Sequence, residues 1–271
     1  MRDPFGLSAL QWLAIVVAIM ALLVTVEAWL GHYRSGFPLR AQLAPLAVGG
    51  LLVAAGLAAA VVPGARWVHS GLRVAGVAAV VTGLIGVGYH HWFGIVKKAG
   101  GYRWLLHYLM YGAPQLAPLA LSVVGALALI AAHALGGHET LLGAPLWRIL
   151  LATASVGLAG AIIQAGILHY RGAFNTPLMY APFVVPPLAV AAAAWMAAAP
   201  GDAAEVASRI SLWSTFLTGF LGLGMHLRGI DRQMGGLSVV LANLLQGPPP
   251  FAPAFFAGLS AVGLASLELA R

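Results

Sequence analysis

The sequence predicts an all-α polytopic membrane protein of about eight transmembrane helices, built as two tandem four-helix repeats of parallel topology. Composition is the first reason. Hydrophobic residues make up 61% of the chain and charged residues 8%, with a mean hydropathy of +0.92, well outside the range of soluble domains. The second is the recurrence of apolar stretches at residues 7–31, 41–64, 74–96, 114–136, 149–169, 178–200, 210–227 and 251–267. A helix needs about 20 residues to cross the hydrocarbon core, so eight spans are expected, the last two short.

Internal repetition is the third reason. Residues 27–64 align without a gap to 164–201, at the offset that separates His32 from His169. His32-Tyr33-Arg34 meets His169-Tyr170-Arg171, Phe37 meets Phe174, Ala44-Pro45 meets Ala181-Pro182, and Pro63-Gly64 meets Pro200-Gly201. After one residue of slippage, Arg73, Thr82, Gly83, Gly86, Gly88 and His90 meet Arg209, Thr218, Gly219, Gly222, Gly224 and His226. After a second, Gly100-Gly101, Gly112, Pro114 and Ala117-Pro118 meet Gly235-Gly236, Gly247, Pro249 and Ala252-Pro253. Repetition of this kind fixes architecture before any residue is read for chemistry.

The first span is too long for the apolar core of a signal peptide. It carries Glu27 and ends in Trp29-Leu30-Gly31-His32 without a small-residue cleavage site, so it is expected to remain attached. The second, fourth, sixth and eighth spans each open on an Ala-Pro pair at Pro45, Pro118, Pro182 and Pro253. Proline suits the first helical turn, where its missing N–H would have no partner anyway. Gly49-Gly50 and Pro186-Pro187 occupy equivalent places in the second and sixth spans and predict matched kinks. Between the halves, Gly136-Gly137-His138-Glu139-Thr140 reads as a short polar loop. The first repeat is then residues 1–136 and the second 141–271, packed as one unit. Four crossings return the chain to its starting side. The halves should therefore superpose by a rotation of roughly 180° about an axis along the membrane normal, with the C-terminal ends of the odd-numbered spans on one face.

Glu27 is the only charged residue inside an apolar stretch. The net charge of +7 is spread over inter-span loops without an aromatic-interleaved patch, which speaks for topology and lipid contact and against nucleic acid. The absence of cysteine excludes disulfides, thiolate metal sites and Cys-ligated iron–sulfur clusters. The N-terminal face carries Arg2, Arg66, Arg73, Arg148, Arg209 and Arg271. The opposite face carries Arg34, Arg40, Lys97, Lys98, Arg103, Arg171, Arg228 and Arg232. That bias favours the second face as cytoplasmic and both termini as extracytoplasmic, in a protein of a bacterial inner membrane.

Repetition selects four of the nine histidines: His32, His90, His169 and His226, at the ends of the first, third, fifth and seventh spans. An imidazole beside hydrocarbon must have its nitrogens paired, and neutral imidazole is the commonest protein ligand of metals and haem iron. The plainer reading is that each caps a helix C-terminus. His91, His107, His69, His133 and His138 have no counterpart and are not expected to be ligands. Arg34, Arg171 and Arg228 follow the histidines by two residues and could hold an anionic group such as a haem propionate, or simply reach lipid phosphate. Glu27 precedes His32 by five residues, and Gln164 occupies the twin place. A carboxyl group there must be neutral, hydrogen-bonded or part of a proton or ligand path; a satisfied interhelical hydrogen bond is the plainer alternative.

No His-Glu-x-x-His, phosphate-binding glycine loop or serine nucleophile elbow is present. Gly-x-Gly at 86–88 and 222–224 lies within spans, where small residues serve helix packing. The layout resembles the quinone-interacting membrane anchors of bacterial redox enzymes, an analogy of architecture that transfers no residues. The first functional expectation is a membrane electron-transfer subunit holding haem b or another His-ligated metal and exchanging electrons with a quinol and with other subunits of a membrane complex. A proton-coupled transporter or channel using Glu27 is the second, and a structural or assembly subunit the third. Composition and motifs leave open whether the chain is an enzyme.

Overall fold

The computed structural model describes residues 7–271 and is almost wholly α-helical. Arg2, counted above with the N-terminal face, lies outside the described residues. The long helices are α1 (Ala9–Arg34), α2 (Ala44–Val61), α3 (Arg66–His91), α5 (Ala117–Leu135), α6 (Leu146–Arg171), α7 (Ala181–Ala198), α8 (Asp202–Asp231) and α10 (Ala252–Leu269). All eight are long and apolar enough to cross a membrane. The chain is an integral membrane protein of the all-α class.

Local sequence accounts for the helix ends. Ser8 and Gln11 form a reciprocal capping box at the start of α1. Proline lies in the first turn of α2, α5, α7 and α10. Neither expected kink site interrupts its helix: α2 runs unbroken from Ala44 to Val61 through Gly49-Gly50. Helix α7 runs through Pro186 and Pro187 uninterrupted. Gly49 in α2 serves close contact, since a Cβ there would meet the Thr25 side chain of α1.

Two spans begin earlier than their apolar stretches. Helix α3 starts at Arg66 and α8 at Asp202, which makes α8 the longest helix of all, with 30 residues, instead of a short one. Their first turns are polar and extend beyond the apolar segment. In α8, Asp202 and Glu205 complement the positive helix end. Glu205 also pairs with Arg209 at 3.0 Å and with Arg271 at 2.9 Å, while Arg209 pairs with Glu268 at 2.6 Å, tying α8 to the end of α10. Between the halves the polar loop continues into a small hairpin, β1 (Thr140–Leu141) with β2 (Ala144–Pro145), and His133 stacks on His138 beside it.

Two short helices are absent from the hydropathy pattern: α4 (Leu105–Tyr111) and α9 (Val240–Gln246). Each follows a 3-10 turn, and Gly100-Gly101 and Gly235-Gly236 adopt left-handed backbone there, with φ of +78°, +48°, +80° and +53°. The sequence slippage just before these glycines has a physical counterpart. Trp92–Val96 forms a π-helical turn closed by Lys97 N–H donating to the Trp92 carbonyl at 2.8 Å, and such a turn accommodates one extra residue in a helix.

Packing partners come in matched pairs. Helix α3 packs on α5 and α8 on α10; α1 on α2 and α6 on α7; α2 on α3 and α7 on α8; α1 on α10 and α6 on α5. The deepest apolar core joins α1, α5, α6 and α10 through Leu13, Val17, Leu127, Leu150, Leu158 and Leu259. Helices α2, α3, α7 and α8 turn Leu57, Val77, Leu84, Val184, Leu188 and Ile210 outward, toward the lipid of a bilayer. Helix α3 meets α5 at backbone range. A Cβ on Gly83 would lie 2.6 Å from the Pro118 carbonyl oxygen and 2.8 Å from Ser122 N, and one on Gly86 would lie 2.8 Å from Pro118 Cβ. At the matching contact, a Cβ on Gly219 would lie 2.8 Å from Ala257 N and one on Gly222 2.8 Å from Pro253 Cβ. Ser122 Oγ donates across the first contact to the Val80 carbonyl at 3.0 Å. In lipid, this close approach and hydrogen bonding replace the hydrophobic drive that holds soluble helices together.

Gly83→Val should therefore push α3 off α5 and destabilise the protein by about 1–3 kcal/mol. Gly160→Ala, where the added methyl meets nothing within 4 Å, should be neutral or slightly stabilising. Thermal unfolding midpoints of the two variants in one detergent check the contrast.

Candidate functional site

In the first half, α1, α2, α3 and α5 form a four-helix group in which α1 and α3 stand diagonally, each packed on α2 and α5 instead of on the other. His32 ends α1 and His90 ends α3. Their imidazoles approach across that diagonal, with ring centroids 6.3 Å apart and planes at 83°. In the second half, His169 at the end of α6 and His226 late in α8 repeat the arrangement, with centroids again 6.3 Å apart and planes at 61°. The four histidines selected by repetition thus form two pairs, each within one half. All four rings are partly buried at one end of the helix assembly.

Backbone carbonyls orient three of the rings. His90 Nδ1 lies 2.8 Å from the Pro114 carbonyl, His226 Nδ1 2.7 Å from that of Pro249, and His169 Nδ1 2.7 Å from that of Met179. A carbonyl can only accept, so each Nδ1 carries the proton and each Nε2 keeps its lone pair free. This is the usual orientation of a metal-ligating histidine, whose second nitrogen donates to a carbonyl or carboxylate. The prolines lie in the loops leading into α5 and α10, so the glycine contacts with α3 and α8 also set the position of the orienting carbonyls. His32 has no such bond among the described residues and is held by packing on Phe37, with ring centroids 6.1 Å apart.

The ends of α1 and α6 are built alike. Phe37 N–H donates to the His32 carbonyl and Gly36 N–H to that of Tyr33; Phe174 N–H donates to the His169 carbonyl and Ala173 N–H to that of Tyr170. These are Schellman closures, which require left-handed backbone at the penultimate position. Gly36 adopts it at φ +75°, and Ala173 stands in the same conformation at φ +55°.

Glu27 and Gln164 each reach into the other half. Glu27 Oε1 accepts from Phe251 N–H at 2.6 Å, at the entry to α10. Gln164 Oε1 accepts from Leu116 N–H at 3.3 Å, at the entry to α5. Each donor N–H lies two residues after the proline whose carbonyl holds a histidine. The arginines separate from one another. Arg171 Nη2 donates to the carbonyls of Leu109 at 3.2 Å and Gly112 at 2.7 Å, pinning the end of α4 to α6; that guanidinium is engaged by backbone instead of standing free for an anion. The side chains of Arg34 and Arg228 are exposed and make no ion pair or hydrogen bond among the described residues.

The histidines without counterparts serve local structure. His91 Nε2 bonds Tyr102 Oη at 2.6 Å, His69 Nε2 bonds the Pro63 carbonyl at 2.6 Å, and His107 packs on Tyr108 and Tyr111. The orienting carbonyls of Pro114, Met179 and Pro249 escaped sequence reasoning because a carbonyl has no residue signature. The recurrence of Pro114 at Pro249 was the available signal.

No protein-family model matches the chain, and no curated protein or solved structure shows significant similarity to it.

Left-handed backbone disfavours a residue with a Cβ by roughly 1 kcal/mol, so Ala173→Gly should stabilise the protein by about that amount. Gly36→Ala should destabilise it similarly. Chemical or thermal unfolding of the two variants against the parent checks both signs.

Proposed function

We propose that the protein is a membrane electron-transfer subunit carrying two haem b groups, one between His32 and His90 and one between His169 and His226. The spacing of the two imidazole pairs supports this most directly. Two histidines on opposite sides of one metal stand with ring centres about 6 Å apart, roughly 2 Å for each metal–nitrogen bond and about 1 Å from each nitrogen to its ring centre. Both pairs have that spacing, and the carbonyl-bound Nδ1 atoms leave Nε2 as the donor.

Coordination number favours haem over a bare ion. A structural or catalytic metal usually takes three or four protein ligands, and among the described residues no group of three His, Asp or Glu side chains is placed to hold one. Haem supplies four nitrogens itself and needs only two axial ligands. Facing helices of a four-helix group are a common location for such a cofactor. Arg34 and Arg228, exposed two residues beyond His32 and His226, are available to propionates.

When bound, the haems supply one-electron redox chemistry. The chain's own residues set ring orientation and tautomer, through the Pro114, Met179 and Pro249 carbonyls. A quinol dissolved in the bilayer is the electron donor this placement suits, and a partner subunit the acceptor, in a bacterial inner membrane with both termini extracytoplasmic.

The protein expressed with haem available and purified in detergent should show a Soret band and about two haems per chain. His90→Ala and His226→Ala should each lose one haem and retain the other. Pyridine haemochrome quantification checks the stoichiometry, and a parent protein without haem or stoichiometric metal overturns the proposal.

A further inference from the structure

We propose that Glu27 couples reduction of the second-half site, His169 with His226, to uptake of one proton, and that Gln164 leaves the first-half site, His32 with His90, without this coupling. The inference rests on the two-haem reading.

The geometry is a crossed exchange between the halves. Glu27 belongs to α1 of the first half, yet its carboxylate accepts from Phe251 N–H of the second, 2.6 Å away. Two residues earlier, the Pro249 carbonyl accepts from His226 Nδ1 at 2.7 Å. One short segment, residues 249–251, therefore holds the imidazole with one backbone group and the carboxylate with another. In the reciprocal arrangement, Gln164 of α6 accepts from Leu116 N–H, and Pro114 holds His90. The two segments align at the proline, although Gln115, which donates to the His90 carbonyl, stands where the second segment has Pro250. The chemical difference is that the side chain bonded to the 249–251 segment can carry a proton and a charge, and the one bonded to the 114–116 segment cannot.

Little else near Glu27 could take that role. Helix α1 packs on α2, α5, α9 and α10. Helices α2 and α9 contain no titratable residue. Helix α5 has only His133 and α10 only Glu268, both at their C-terminal ends, away from the entries that Glu27 and Gln164 contact. Arg40 lies in the turn before α2, and on α1 itself His32 and Arg34 lie beyond Glu27 in its last turn.

Electrostatics sets the direction. Reducing ferric haem adds one electron and removes one positive charge from a site of low dielectric, where uncompensated charge interacts strongly. The electron comes from the quinol. The proton comes from the aqueous phase at the histidine end and binds a Glu27 carboxylate oxygen, so that the local charge is unchanged by the pair of transfers. Linkage is reciprocal: if reduction favours protonation, protonation favours reduction, and the midpoint potential falls as pH rises.

Potentiometric titration of the haem-loaded protein between pH 5.5 and 8.5 tests the coupling, with His90→Ala and His226→Ala used to assign each haem. The second-half haem should lose up to tenfold in its reduction equilibrium constant per pH unit, about 59 mV, while the first-half haem stays nearly flat. Glu27→Gln should abolish the slope without loss of haem, since glutamine already makes the equivalent bond at the twin place. Gln164→Glu should confer a slope on the first-half haem. Redox-difference infrared spectra should contain a carboxyl C=O band that Glu27→Gln removes. A flat profile for both haems in the parent, or a slope surviving Glu27→Gln, overturns the coupling while leaving the two-haem reading intact. A protein that binds no haem overturns both.

Discussion

Everything at the histidine end depends on how closely α3 approaches α5 and α8 approaches α10. Gly83, Gly86, Gly219 and Gly222 bring those helices to backbone contact with the first turns of their partners, at Pro118 and Pro253. The loops entering α5 and α10 are thereby fixed over the ends of α3 and α8, so the carbonyls of Pro114 and Pro249 meet Nδ1 of His90 and His226. A methyl group at any of these glycines would lengthen that chain of contacts from the middle. Helix packing and ring orientation are one constraint, transmitted through two prolines.

The crossed contacts of Glu27 and Gln164 explain why the two halves are unsuited to act as separate domains. Each half supplies its own histidine pair but borrows from the other the side chain that accepts from the backbone N–H at the entry to its last long helix. Arg171 adds a third link, from α6 to the end of α4. A backbone N–H left unpaired near the bilayer would cost several kcal/mol, so separating the halves would expose donors at Leu116 and Phe251 as well as apolar surface.

Spans, proline starts and the four histidines were legible in the sequence because each leaves a local or repeated mark. The early starts of α3 and α8 were not, since Arg66, Arg73, Asp202 and Glu205 lower the apolar signal while their helices continue past it. Helices α4 and α9 are too short for periodicity to register and announced themselves only through twin glycine pairs. The pairing of His32 with His90, and the bond from Phe251 N–H to Glu27, 224 residues away, depend on tertiary packing that no window of sequence contains. Arg171 read as a free cation because its partners are carbonyls. The one-residue slips in the alignment, by contrast, carried structural meaning: one falls just before α3, at Ala65, and the other in the π-helical turn beyond His90.

The placement of both histidine pairs at the same end of the assembly constrains what a pair of haems there could do. A charge crossing the membrane works against the transmembrane potential at about 2.3 kcal/mol per 100 mV. If both pairs held haem, two centres at similar depth would exchange an electron along the surface, and that step would neither consume nor store membrane energy. Any coupling to the membrane would have to come from protons, and the relevant asymmetry between the halves is then the carboxyl group of Glu27 at the place where the other half has the amide of Gln164. Glutamine preserves the hydrogen bond and the packing, while glutamate preserves both and adds a site for a proton. Such a difference would add to the others between the sites, among them the Met179 carbonyl that holds His169 and has no equivalent at His32 among the described residues, in making the two unequal in potential if both held haem.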